Sequence, residues 1–121
     1  MVQKFRSNSL SRRYRLNNAK DYRLVFDKPH KSADATYTIL ARSNQLDFPR
    51  IGIIVSKKNV PKAAERTRLK RIARESFRIN KSLLGSLDII VICKRSSSYK
   101  LNQQLFKSLD ALWQNLYTNH V

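Results

Sequence analysis

Arg66-Thr-Arg-Leu-Lys-Arg-Ile-Ala-Arg-Glu-Ser-Phe-Arg78, at the centre of Val60–Arg78, is the stretch around which the rest of the chain is read. At about 100° per residue, Leu69, Ile72, Ala73 and Ser76 share one helical face, with Phe77 on its shoulder. Arg71, Arg74 and Arg78 point the opposite way, Arg66 and Lys70 lie on one flank, and Arg68 lies on the other. The i,i+4 series Arg66/Lys70/Arg74/Arg78 is repulsive, at about 0.2–0.5 kcal/mol per pair. Within the run only Glu75 offsets it, within reach of Arg71 and Arg78. Most charged helical runs are simply solvated faces of mixed sign. This one is nearly single-signed and rich in Arg, whose planar fork matches phosphate. It predicts contact with a polyanion, and nucleic acid supplies phosphates at regular spacing.

Working outward, Asn59 is the predicted cap of this helix and Pro61 falls in its first turn, where a missing N–H is tolerated. The helix is expected to run to about Leu84, with Gly85 as terminator. Upstream, Arg50-Ile-Gly-Ile-Ile-Val-Ser-Lys-Lys58 reads as a strand, apolar on both faces and therefore central. It is expected to run antiparallel to a strand at Thr36–Arg42. His30–Ala35 reads as a loop. A short helix over Ala19–Asp27 has Asn18 as N-cap and Asp21 at N3, where negative charge suits the dipole. Its apolar face is Tyr22, Val25 and Phe26, and Lys28-Pro29 ends it. Downstream, Asp88–Lys94 is a buried strand, Arg95–Lys100 a Ser-rich loop, and about Asn102–Asn119 an amphipathic helix with Leu105, Phe106, Leu109, Leu112, Trp113 and Leu116 on one face. The order α-β-β-α-β-α predicts an α+β fold, a mixed α/β sandwich with a small central sheet.

The domain is expected to span 15–121, preceded by a flexible basic arm at 1–14 that carries Lys4, Arg6, Arg12 and Arg13. The 121 residues suffice for one domain with a real core. A net charge of +17, from 25 basic and eight acidic residues, is the balance of a nucleic-acid or anionic-surface binder. The lone Cys93 excludes an internal disulfide and reads as a core residue. No apolar run is long enough for a membrane span or a signal peptide, so cytoplasm is the expected compartment.

Catalytic and metal-binding patterns are missing from the sequence. Two glycines, Gly52 and Gly85, make no phosphate-cradling loop. His30 and His120 with a single cysteine make no zinc motif. The eight carboxylates are scattered, with no pair placed for two-metal phosphodiester cleavage. The expectation is a binding module with no catalytic residue and no metal ligand of its own.

The stretch Lys62-Ala-Ala-Glu-Arg-Thr-Arg-Leu-Lys-Arg-Ile-Ala-Arg-Glu-Ser-Phe-Arg78 resembles the signature of the protein subunit of bacterial ribonuclease P. That signature is an Arg-Asn-Arg-x-x-Lys-Arg-type core followed by Arg-Glu-x-x-Arg. The register matches at Ala63, Arg66, Arg68, Lys70, Arg71, Arg74, Glu75 and Arg78, and Thr67 stands at the usual Asn position. Arg15-Leu with Asp21-Tyr-Arg-Leu-Val-Phe26 is similar to the family's opening helix, and Arg50–Lys58 to its central strand. The similarity covers roughly Arg15 to Lys94.

The resemblance implies a ribosomal-S5-domain-2-like fold with a left-handed βαβ crossover, where the residues alone would suggest a right-handed one. It implies a ribonucleoprotein in which an Mg²⁺-dependent RNA subunit removes the 5′ leader of precursor tRNA and the protein binds that RNA and the leader. No membrane and no further protein partner are implied. Carried onto this chain, Arg66, Thr67, Arg68, Lys70, Arg71, Arg74 and Arg78 face RNA, joined by Lys57 and Lys58 at a strand end. Tyr22 and Phe26 line a leader cleft, with Leu40 and Ile54 as its floor. From periodicity alone Tyr22 and Phe26 would be core. Competing readings are a non-catalytic structural RNA-binding protein of the ribosomal type, and a basic helix for a membrane surface or calmodulin. The last would require Leu69, Ile72 and Phe77 to be free of the core.

Overall fold

The computed structural model describes residues 10–120, with side chains through 118. Helix α1 is Ala19–Phe26, β1 His30–Ala33, β2 Tyr37–Ser43, β3 Arg50–Ile54, α2 Ala63–Ile79, α3 Lys81–Leu84, β4 Leu87–Cys93 and α4 Asn102–His120. Single 3-10 turns occupy Arg12–Tyr14 and Arg95–Tyr99. The strands form one sheet in the order β1-β2-β4-β3. β2 runs antiparallel to both β1 and β4, whereas β3 and β4 are parallel. β3, α2, α3 and β4 therefore make a crossover unit joining neighbouring parallel strands.

The α+β architecture agrees with the sequence reading, with several corrections. His30–Ala33, expected as loop, is an edge strand. Of its residues only Ser32 is buried, so no apolar alternation marks it; pairing with β2 alone defines it. β3 is an edge strand, not a central one, and β4 separates it from β2. It is apolar on both faces because helices cover both. It ends at Ile54, and Lys57 and Lys58 lie in a turn where Ser56 Oγ accepts from the Asn59 N–H at 3.1 Å. Asn59 is thus drawn away from capping; α2 starts after Lys62 with no side-chain cap, and Pro61 precedes it. The long helix breaks at Asn80, whose side-chain amide donates to the Ser76 carbonyl at 2.7 Å. Gly85, at φ +60°, closes α3 in the left-handed region.

Strand alternation divides the core into two layers. On one face Tyr37, Ile39, Ala41, Ile51, Ile89, Val91 and Cys93 pack against the apolar stripes of α2 and α4. Leu69, Ile72, Ala73, Ser76 and Phe77 are the buried residues of α2, as its periodicity requires. Trp113 bridges the two helices: its Nε1–H donates to Ser76 Oγ at 2.8 Å and its ring meets Phe77 edge-on at 6.4 Å. Because the apolar stripe of α2 is enclosed, the free amphipathic helix required by the membrane or calmodulin reading is not available.

The expected boundary at residue 15 moves toward the N-terminus. Leu10 is 4% exposed within the main core, and Tyr14 packs edge-on against Phe48 at 5.5 Å. Arg13 lies 4.4 Å over the Phe48 ring, and Lys81 Nζ lies 3.8 Å over Tyr14. The remainder of the predicted arm, 1–9, falls outside the described residues.

Candidate nucleic-acid interface

The other face of the sheet carries only the eight-residue α1. Its residues form three rows across β2, β4 and β3, fixed by the pairing register. The first row, Arg42, Asp88 and Arg50, is polar. Arg50 makes a two-point pair with Asp88, at 2.9 Å from Nε and 2.7 Å from Nη2, and reaches Asp21 of α1 at 3.4 Å. Asp88 accordingly raises the pKa of Arg50 through these hydrogen bonds. Arg42 Nη1 donates to the Leu24 and Asp27 carbonyls, both at 2.8 Å. Two arginines of the sheet thus hold α1 at its first and last turns, and Asn18 Oδ1 caps it by accepting from the Asp21 N–H at 2.9 Å.

The second row, Leu40, Ile90 and Gly52, lies beneath α1, where Leu16 and Val25 complete a small apolar cluster. The third row, Thr38, Ile92 and Ile54, is only half-buried. It is open because α1 is too short to cover it. The result is a half-buried apolar strip beside α1, at the place expected for a cleft. Of the four residues assigned to a cleft, Tyr22, Leu40 and Ile54 come together around this cluster. Phe26 stands outside it at 48% exposure, one turn along α1 from Tyr22. Sequence reasoning missed Ile92; strand alternation opposite Ile54 was the signal that could have found it.

Tyr22 sits where this strip meets β3. A Cβ at position 52 would lie 2.5 Å from Tyr22 Oη, so the ring occupies the space that glycine leaves. Burial raises the Tyr22 pKa, opposed by a hydrogen bond from the Ile53 backbone and by the charge of Arg74. The Arg74 pKa is lowered, first by burial and then by the nearby charge of Arg15. Arg15 reaches this point because the N-terminal segment pairs along the outer edge of β3, with the Leu16 N–H donating to the Ile51 carbonyl at 2.9 Å. Its Nε is buried without a hydrogen-bond partner. Arg74 therefore stands between Tyr22 and Arg15, and no carboxylate among the described residues pairs with either arginine. Such an arrangement is unfavourable without an anion.

The structure separates the α2 cations. Lys70, Arg71 and Arg74 make no hydrogen bond or ion pair among the described residues, and Thr67 is exposed beside them. Arg66 folds back onto the Val60 and Pro61 carbonyls at 2.9 and 2.7 Å, where it satisfies the uncapped approach to α2. Arg78 is paired with Glu75 at 2.6 Å. Arg68, expected with the RNA-facing set, turns to the other flank: Glu65 holds it at 3.0 Å, Asn102 Oδ1 at 2.6 Å and the Ser98 carbonyl at 3.4 Å. Three protein acceptors outcompete solvent for its fork. Among the described residues no three His, Cys, Asp or Glu side chains are grouped to hold a metal ion, and no helix is long and apolar enough to cross a membrane.

The Ribonuclease P family model matches residues 10–117. The chain is 42% identical over 108 residues to the ribonuclease P protein component of Vibrio campbellii, covering 89% of this chain and 92% of that one. It is 44% identical, over the same shares of each chain, to that of Photobacterium profundum. Among solved structures, the Staphylococcus aureus RNase P protein superimposes with a TM-score of 0.78 at 31% identity, over 84% of this chain and 93% of that one. The Thermotoga maritima RNase P protein does so with a TM-score of 0.73 at 31% identity, over 83% and 96%. The chain belongs to the ribonuclease P protein component family, and is the protein subunit that assists an RNA subunit in a tRNA-processing endoribonuclease.

Proposed function

We propose that the protein grips the RNA subunit through the open ridge of α2 and receives the single-stranded 5′ leader of precursor tRNA in the cleft beside α1. The observation that carries this reading is the run Arg15–Arg74–Tyr22, in which Arg74 lies between a second arginine and an aromatic ring and neither arginine pairs with a carboxylate among the described residues. A leader phosphate would satisfy the arginines while its base stacks at Tyr22 or on the exposed Phe26 ring. Stacking tolerates any sequence, as a subunit serving many precursors requires. Ile54 and Ile92 provide an apolar floor, and Lys70 and Arg71 extend the phosphate-binding ridge. Lys57 and Lys58, exposed in the turn after β3, add to the same positive field.

Cleavage in this reading is done by the RNA subunit with Mg²⁺, in the cytoplasm, and the protein contributes binding and position. Reconstitution tests it. The protein is mixed with a bacterial ribonuclease P RNA and 5′-labelled precursor tRNA at low Mg²⁺, where that RNA alone is nearly silent. Cleavage at the mature 5′ end that needs both components, with affinity that falls when the leader is removed, supports the reading. RNA binding without cleavage would point instead to a structural RNA-binding protein. Leader-independent affinity would remove the cleft assignment.

A further inference from the structure

Opposite the leader cleft, the flank of α2 carries a second aromatic platform. Tyr99, at the end of the 3-10 turn after β4, is 80% exposed, and Leu101 is 67% exposed. Single exposed apolar side chains are ordinary. Here two of them stand on either side of Lys100 and line one hollow of about 710 Å³ with Arg68, Ser98, Asn102 and Gln103. The hollow is wide open to solvent, so a nucleotide would lie against its wall instead of being enclosed. Lys100 makes no ion pair among the described residues. Arg68 is fixed in the wall of the hollow by Glu65, Asn102 and the Ser98 carbonyl, and these contacts leave part of its five-donor fork unused.

At 3.6 residues per turn, Arg71 lies about 60° around α2 from Arg68 and about 60° from Arg74. The arginines therefore step around α2 from Arg74 beside Tyr22, through Arg71, to the flank that carries Arg68 and Tyr99. Each end has an aromatic ring beside arginine.

We propose that Tyr99, Lys100 and Arg68 form a second nucleotide site whose occupant is an unpaired residue of the RNA subunit. Its base stacks on the Tyr99 ring, and its phosphate meets Lys100 at the mouth of the hollow. An open ring offers a π face that a base inside a duplex cannot use, so the partner is single-stranded. The leader is placed at the Tyr22 end of the ridge, which leaves the Tyr99 end to the RNA that the helix grips. This inference rests on the reading of α2 as an RNA-facing ridge.

The test is binding of labelled ribonuclease P RNA to the full chain, without substrate. Tyr99→Ala is expected to weaken binding roughly 5- to 100-fold, and Tyr99→Phe to leave it unchanged. Lys100→Ala is expected to reduce the slope of log affinity against log salt by about 0.7. Thermal unfolding of these variants should match the parent, since Tyr99 projects from the surface and Lys100 makes no ion pair among the described residues. The ratio of affinities of the holoenzyme for leader-bearing and leaderless tRNA should not move. A photo-crosslinker attached through Tyr99→Cys should label the RNA subunit; Cys93 is buried and stays unmodified. Unchanged RNA affinity in Tyr99→Ala, or a loss confined to leader-bearing substrate, would overturn the assignment. Tyr22→Ala, run in parallel, fails or succeeds independently and so reports on the leader reading alone.

Discussion

Tyr22 and Gly52 illustrate how the site is built from single residues. The ring lies so close to the β3 backbone that any side chain at 52 must displace it. We therefore expect Tyr22→Ala to weaken leader binding by about 1–3 kcal/mol, the usual worth of one stacked base, while the fold is retained. Equilibrium binding of leader-bearing and leaderless tRNA to the reconstituted particle measures this. Gly52→Ala should produce a similar loss of leader affinity from a residue that touches no RNA, with a stability cost of about 1–3 kcal/mol from overpacking. If Gly52→Ala leaves leader affinity intact, the placement of Tyr22 is not what the cleft requires. These two residues were only partly legible in the sequence. Periodicity put Tyr22 on the apolar face of α1, and the family motif marked it as aromatic. Its contact with Gly52 joins positions far apart in the chain, and local pattern carries no record of such a contact.

At the scale of elements, α1 is a short helix that nucleates poorly alone and depends on its anchors. Arg50 ties its first turn to Asp88 of β4, and Arg42 holds its last carbonyls. Arg50→Ala would leave the mostly buried Asp88 without its cation. Destabilisation of about 2–4 kcal/mol is expected, read as a lower urea midpoint, together with weaker leader binding as α1 loosens. Helix α2 behaves differently, because its buried stripe is held by Trp113 while Lys70, Arg71 and Arg74 make no ion pair among the described residues. Arg71→Ala and Arg74→Ala should each reduce the salt slope of RNA binding by about 0.7–0.9. An unchanged slope would mean that the ridge is merely solvated. Arg68→Ala acts in another way, since that side chain fastens α2 to the start of α4.

Across the whole molecule, charge and burial set the response to pH. Burial raises the pKa of Tyr22 and of Tyr37, and pushes the Cys93 thiol from an ordinary 9.0 up to about 12. The folded state therefore holds these protons more tightly than the unfolded chain. Their contribution to stability is complete below the unfolded values and is lost as pH rises from about 9 toward 12. Urea unfolding at about pH 8 and about pH 10.5 should show a lower midpoint at the higher pH, with Cys93 unreactive to alkylation until the chain opens. A midpoint that rises across this interval would contradict the burial of these groups. The sequence by itself determined the helices and the buried strands, because apolar spacing of 3.6 and 2 residues is a local signal. It also determined the polyanion partner, because an Arg-rich single-signed ridge has few other uses. It did not reveal β1, which holds no apolar pattern, nor that β3 is an edge strand, nor the separate tasks of Arg66, Arg68 and Arg78 among six basic positions. Those depend on which backbone or side chain lies opposite, and only the tertiary structure brings Arg15 to Arg74, Asn102 to Arg68 and Gly52 to Tyr22.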